Sequence, residues 1–194
     1  MTAKLLTHEI ERHVWPALGE LGFDETSNRV AWRHLPDRIL VVDIAAPPPS
    51  EVPDDGSLAL FFQLHLGIDF RVAGHRDASM ERPRHSGCHI VKRLEKKLEQ
   101  THSSARPCPE WMWSVEGDGS NIDEVITELR RALVDDATAW FAACHDLAAL
   151  VAALRGPASE AWFAVGASTT PDEVIRTLAW LKTQNITPSR VGAI

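Results

Sequence analysis

From Leu60 to Phe70 the sequence alternates with a period of two. Successive side chains of a strand leave on opposite faces, so this segment sorts itself. Leu60, Phe62, Leu64, Leu66, Ile68 and Phe70 fall on one face; Phe61, Gln63, His65, Gly67 and Asp69 fall on the other. A helix would scatter both sets around its axis. The pattern predicts a sheet with one face on an apolar core and one more polar face. Two further strands precede it. Val30, Trp32 and His34 alternate with Arg29, Ala31 and Arg33, and Ile39 to Ile44 is rich in β-branched residues. Short links between them predict an antiparallel meander. The stretch from Pro47-Pro48-Pro49-Ser50 to Gly56-Ser57 has the composition of a loop. Trp111 to Val115 alternates and is expected as a fourth strand.

Helical spacing governs the rest. Leu6, Ile10, Val14 and Leu18 recur every four residues in a helix expected over Lys4 to Leu21, with a kink at Pro16 and a stop at Gly22. Gly87 to Gln100 reads as a helix capped by Ser86, with Ile90, Val91, Leu94 and Leu98 as its stripe. Asn121 and Glu124 resemble a capping box ahead of Ile122, Val125, Ile126, Leu129 and Leu133, a stripe that runs on to Trp140 and Phe141. Another helix is expected from Leu147 to Arg155, ended by Gly156-Pro157. The last has the clearest start: Thr170 as N-cap, Pro171 in the first turn and Glu173 third. The expected fold class is therefore α+β: an antiparallel sheet of about four strands packed against helices, with a helical C-terminal part. Residues 1–156 form the α+β domain. Residues 157–194 are a helical extension, packed on the same domain or on a second copy, which makes a homodimer one of the arrangements to test.

Composition narrows the function classes. At 194 residues the chain suits one large domain, and 44% apolar residues suffice for a real core. The net charge of −7 disfavours a nucleic-acid partner and favours a basic or protein partner. Cys88, Cys108 and Cys144 make no disulfide framework, which fits a reducing compartment. Glu9, Glu11, Arg12 and Glu20 interrupt any signal-peptide core, and His145 and Asp146 interrupt the most apolar later stretch. A cytoplasmic, soluble protein with no membrane partner is the expectation.

The order of parts also resembles a family of bacterial proteins known as domain of unknown function 4304. The pieces are Leu21-Gly22-Phe23 after an opening helix, Arg29 to Arg33, Leu64-His65-Leu66-Gly67-Ile68, Cys88-His89-Ile90 leading to Arg93-Leu94, and the Trp111 to Trp113 segment before a long helix. The resemblance covers roughly residues 5–150. It implies an α+β domain and no activity, and it assigns no catalytic residue.

Three constellations carry possible chemistry. His85-x-x-Cys88-His89, with Cys108 on a later loop, has zinc-ligand residue types but no Cys-x-x-Cys or His-x-x-x-His spacing, so no metal site and no cofactor are expected. Cys88 near a helix start is a candidate reactive thiol with His85 or His89 as its base, against the commoner use of cysteine as a small core residue. The second constellation is basic. Arg82 to Lys97 holds six Lys or Arg against one Glu, a local +5 that leaves −12 on the remainder. Such a run docks phosphate or is simply a solvated helix face. The third is the polar strand face. Gln63, His65 and Asp69 share that face, and His65, Asp69, His89, Arg93 and Trp111 are the candidate binding residues of a small pocket with an aromatic wall. Phosphate loops, dinucleotide fingerprints, nucleophile elbows and His-Glu-x-x-His are all missing from the sequence, and no catalytic residue is assigned.

These observations rank three functions. First comes a non-enzymatic binding protein, immunity-type or regulatory, engaging a macromolecular partner. Second comes a small-ligand binder or enzyme with its pocket near His65, His89, Arg93 and Trp111. Third comes nucleic-acid binding through residues 82–97.

Overall fold

The structure, a computed structural model, describes residues 2–52, 59–71, 81–96, 111–156, 163–166 and 169–183. The chain opens with α1 (Thr2–Glu9), a wider π turn (Ile10–Val14) and α2 (Trp15–Glu20). Leu6, Ile10, Val14 and Leu18 are buried, as their spacing predicts. The irregularity expected at Pro16 is the π turn ahead of it. Proline has no N–H to give and its ring crowds the carbonyl four residues back. The chain widens instead, and the Trp15 N–H bonds the Ile10 carbonyl five residues back. Gly22, with φ of 84°, ends α2 as the Phe23 N–H returns to the Leu18 carbonyl.

Among the described residues the sheet has seven strands: β1 (Glu25–Ser27), β2 (Val30–His34), β3 (Arg38–Ala45), β4 (Leu60–Phe70), β5 (Ile90–Arg93), β6 (Trp113–Val115) and β7 (Ala164–Val165). Their order is β1-β2-β3-β4-β5-β7, and β6 pairs with Leu60, Phe61 and Phe62 at the start of β4. Every pair is antiparallel. The α+β class and the antiparallel sheet stand; the count of about four strands is corrected to seven. β1 and β7 are too short, at three and two residues, to show alternation.

β5 is the larger correction. The helix expected from Gly87 is instead a 3-10 turn (His85–Gly87) followed by a strand, and residues 97–100 lie outside the described residues. Ile90, Val91 and Leu94 satisfy either period. What decides is β4, whose second edge would otherwise bury a row of unpaired N–H and C=O groups. β5 pairs with His65 to Ile68, and bonds from His89 N to Ile68 O and from Leu94 N to Leu64 O extend the ladder at both ends.

The helical layer comprises α3 (Ile122–Arg131), a second π turn (Ala132–Ala137), α4 (Thr138–Ala143), α5 (Leu147–Arg155) and α6 (Pro171–Thr183). Thr170 and Glu173 form the reciprocal cap expected of them. Asn121 does not cap α3. Its side chain accepts from the Glu116 N–H and donates to the Ser114 carbonyl, tying β6 to the turn before the helix. Asp146 caps α5 by accepting from the Ala148 and Ala149 N–H groups.

The apolar face of β4 lies in one core with Ala31, Leu40, Val42, Ile44 and Ile90 from the sheet and Ile10, Val14, Leu129, Leu133, Trp140 and Phe141 from the helices. Phe163, Val174, Leu178 and Leu181 enter the same core, so the described part of the C-terminal extension packs on its own domain. No single helix among the described residues is long and apolar enough to cross a membrane.

The other sheet face carries a smaller cluster of Val30, Trp32, Ile39, Val41 and Cys88. Residues 81–89 lie over it. The Trp32 indole donates to the Pro83 carbonyl at 2.8 Å, and a Cβ on Gly67 would sit 2.5 Å from the Cys88 Sγ.

Two stability outcomes follow from this packing. Trp140→Ala removes a ring that is 4% exposed and is expected to cost about 3–5 kcal/mol in chemical denaturation. An unchanged midpoint would contradict the burial of that helix face. Gly67→Ala is expected to cost about 1–3 kcal/mol by overpacking against Cys88, and adding Cys88→Ala is expected to recover part of that loss. Equal losses for the single and double variants would show that the two residues do not touch.

Candidate functional site

The strand register assembles the site. Asp43 of β3 stands opposite His65 of β4, and His65 stands opposite Arg93 of β5. One row across three strands therefore carries a carboxylate, an imidazole and a guanidinium on the polar face.

Asp43 is fully buried, and a buried charge must be paired. Arg84 supplies a fork, with Nε and the second guanidinium nitrogen each 2.7 Å from a carboxylate oxygen. His85 adds its backbone N–H at 3.2 Å and its ring Nδ1 at 2.7 Å. Burial alone would raise the pKa of Asp43, but the bonds and charges of His85 and Arg84 outweigh it and hold the carboxyl below its ordinary range. An ionised carboxylate only accepts, so Nδ1 of His85 carries the hydrogen.

His65 stacks on His85, ring centroids 3.9 Å apart and planes 7° from parallel. Its Nε2 is 2.9 Å from Oε1 of Gln63, and Nε2 of Gln63 donates to Glu51 at 2.6 Å. Gln63 Oε1 accepts, so the His65 hydrogen lies on Nε2. Burial first, then the neighbouring His85, pushes the His65 pKa from 6.5 down to about 4; Arg93 and Arg84 add to this and Asp43 opposes it. His65 is thus neutral at neutral pH.

Arg93 lies flat on Trp111, its guanidinium carbon 4.2 Å from the ring centroid, and comes within 4.0 Å of Glu51. Stacking occupies the faces of the guanidinium and leaves its in-plane N–H donors available.

Of these groups His65, His85 and Arg93 border an open cleft of about 1270 Å³ that follows β5. His65, His85, Ser86 and Arg93 line it from the polar face, and Asp136, Ala139 and Trp140 line it from the helices.

Of the five candidate residues, His65, Arg93 and Trp111 come together. Asp69 and His89 do not join them. They form a separate buried pair, Asp69 Oδ1 to His89 Nδ1 at 2.7 Å. Four residues along β4 separate Asp69 from His65, a span of about 13 Å. His89 follows Asp69 because strand β5, rather than a helix, carries it there.

The zinc-type cluster is dispersed for the same reason. His85 turns to Asp43, His89 to Asp69, and Cys88 lies fully buried over Gly67 with its Sγ 3.5 Å from the Arg84 carbonyl. Cys88 is not at a helix start, so the dipole argument for a reactive thiol does not apply. Cys108 lies outside the described residues; among those described, no group of three His, Cys, Asp or Glu could hold a metal ion.

The basic run is split as well. Arg82 pairs with Glu25, Arg84 with Asp43, and Arg93 with Trp111, while Lys92 and Lys96 line the cleft; Lys97 lies outside the described residues.

Sequence reasoning missed Asp43 and Arg84. A signal was present: Asp43 is the lone charge inside Leu40-Val41-Val42-Asp43-Ile44, a strand buried throughout, where an acid has to be paired. No protein-family model, no curated protein and no solved structure matches the chain, so the resemblance to family 4304 adds nothing to the site.

The site sets a pH dependence. The unfolded chain protonates His65 at its ordinary 6.5, whereas the folded site resists the proton down to about 4. The unfolded state therefore binds more protons across that interval, and stability falls as pH drops through it. His65→Asn is expected to flatten this fall by on the order of 2 kcal/mol in denaturation curves taken between the two pH values. Identical pH profiles for the two proteins would contradict the burial of His65. Asp43→Asn is expected to lower the denaturation midpoint at a cost of about 1.5–3 kcal/mol, since the charge-assisted bonds to Arg84 and His85 are lost while the half-exposed Arg84 stays hydrated.

Proposed function

We propose that this chain is a small-ligand binding protein whose ligand sits in the cleft beside His65, His85 and Arg93. The observation that supports the reading most is the row Asp43–His65–Arg93 across three strands, with His85 stacked on it. It concentrates hydrogen-bonding groups of both kinds beside one concave space. The fully buried Asp43 fixes His85 in one tautomer, which is the kind of preorganisation a binding site needs.

A second reading, an immunity-type or regulatory protein that holds a macromolecular partner by charge, draws on the −12 carried outside residues 82–97. The described surface exposes two large hydrophobics, Leu5 and Val52, so such a partner would be held mainly by polar contacts. Nucleic-acid binding through residues 82–97 is the least supported reading, because Arg82 and Arg84 are already bonded to acids of this chain.

A thermal-shift screen against metabolites, nucleotides, metals and short nucleic acids tests the proposal. A ligand that binds only the folded state raises the melting temperature with concentration. The expected result is a hit that disappears in both His65→Asn and Arg93→Ala. A hit that survives both substitutions would place the ligand elsewhere. A blank together with a salt-sensitive protein partner in a pull-down would favour the second reading.

A further inference from the structure

We propose that the ligand of this cleft presents a phosphate-like oxyanion, and that the anion enters together with one proton held by the stacked His65–His85 pair. This inference rests on the small-ligand reading of the cleft and names the chemistry of its occupant.

Charge balance comes first. Asp43 from β3, Glu51 from the turn Pro49–Glu51, Arg84 from the covering segment and Arg93 from β5 surround the two rings, and the same cleft is lined by Lys92 of β5, Glu95 and Lys96 just beyond it, and Asp136 of the second π turn. Gln63 of β4 is neutral. Asp43 and Glu51 offset the two arginines, and Glu95 and Asp136 offset Lys92 and Lys96. With both imidazoles neutral, the site has no surplus positive charge to hold an anion. One proton on the ring pair supplies it.

Hydrogen-bond polarity points the same way. His65 spends its ring hydrogen on Gln63, and His85 spends its own on Asp43. The remaining nitrogens, Nδ1 of His65 and Nε2 of His85, have no hydrogen-bond partner among the described residues. Each is a bare lone pair in a neutral ring. An anionic oxygen cannot sit against a lone pair unless a proton lies between them. The proton count is one whether that proton is assigned to the ring or to the ligand. Two charged rings 3.9 Å apart would repel strongly, and the single buried carboxylate already shares its charge with Arg84, so the pair takes one proton and not two.

Geometry selects phosphate over carboxylate. The in-plane donors of Arg93 take two oxygens as a fork. A carboxylate is then exhausted, whereas a tetrahedral oxyanion keeps further oxygens to meet the ring pair and the Ser86 side of the cleft.

The test is isothermal titration calorimetry of the full chain with inorganic sulfate and inorganic phosphate, each in two buffers of unequal ionisation enthalpy. Sulfate does not take up protons near neutral pH, so any proton bound with it resides on the protein. The expected result is uptake of close to one proton per sulfate and an affinity that falls about tenfold per pH unit above neutrality, the slope of a one-proton linkage. His65→Asn combined with His85→Asn is expected to abolish the uptake. Arg93→Ala, at a side chain that is 40% exposed, is expected to abolish binding without changing the denaturation midpoint.

Binding of either ion without proton uptake overturns the proton linkage and leaves the cleft reading intact. Binding of neutral or cationic molecules in place of both ions overturns the oxyanion. Ion binding indifferent to Arg93→Ala overturns the assignment to this cleft, and failure of every small molecule to bind removes the underlying reading as well.

Discussion

A carboxylate with no solvent exposure sits in the middle of the sheet at Asp43, and much of the molecule is arranged to answer it. An ionised acid in that position costs several kcal/mol unless it is paired and hydrogen-bonded. Arg84 and His85 meet the need together, and both come from the segment that crosses the second sheet face. Pairing the acid therefore fastens that segment. The fastened segment covers Trp32 and Val41, packs its own Cys88 against them, and stacks His85 on His65. One electrostatic demand thus builds a second layer and shapes the candidate site.

Close packing of Cys88 against two glycines completes the arrangement. Gly67 gives up its side chain so that Cys88 can lie directly on β4. Gly166 does the same at the end of β7, where a Cβ would fall 1.8 Å from the Cys88 carbonyl, and its N–H bonds the His89 carbonyl. The C-terminal part thereby anchors on β5, while α6 adds Val174, Leu178 and Leu181 to the shared core. The polar face is consequently enclosed at one end, around Asp69 and His89, and open at the other, around His65 and Arg93.

Much of this was legible in the sequence where a period was long enough to read. The eleven alternating residues of β4, the four-residue stripe of the opening helix and the Thr170–Glu173 cap each state their structure locally. β5 was not legible, because Ile90, Val91 and Leu94 fit a helix and a strand alike, and a distant edge of β4 chooses between them. The site was half legible for the same reason. His65 follows from alternation, but its neighbours Asp43 and Arg93 follow from register, which no single segment encodes. Asn121 shows the limit in miniature: its spacing suits a cap, yet its side chain finds better partners in β6 and the turn beyond it.

The organising role of the buried Asp43 carboxylate is tested most directly by the nitrogen resonances of the histidine rings in the ligand-free protein, followed by NMR as the pH is lowered. It predicts that His85 carries its hydrogen on Nδ1, bonded to Asp43, and that His65 stays neutral until the pH approaches about 4. A His65 that titrates near its ordinary value of 6.5, or a His85 with its hydrogen on Nε2, would contradict the buried carboxylate as the organiser of this site.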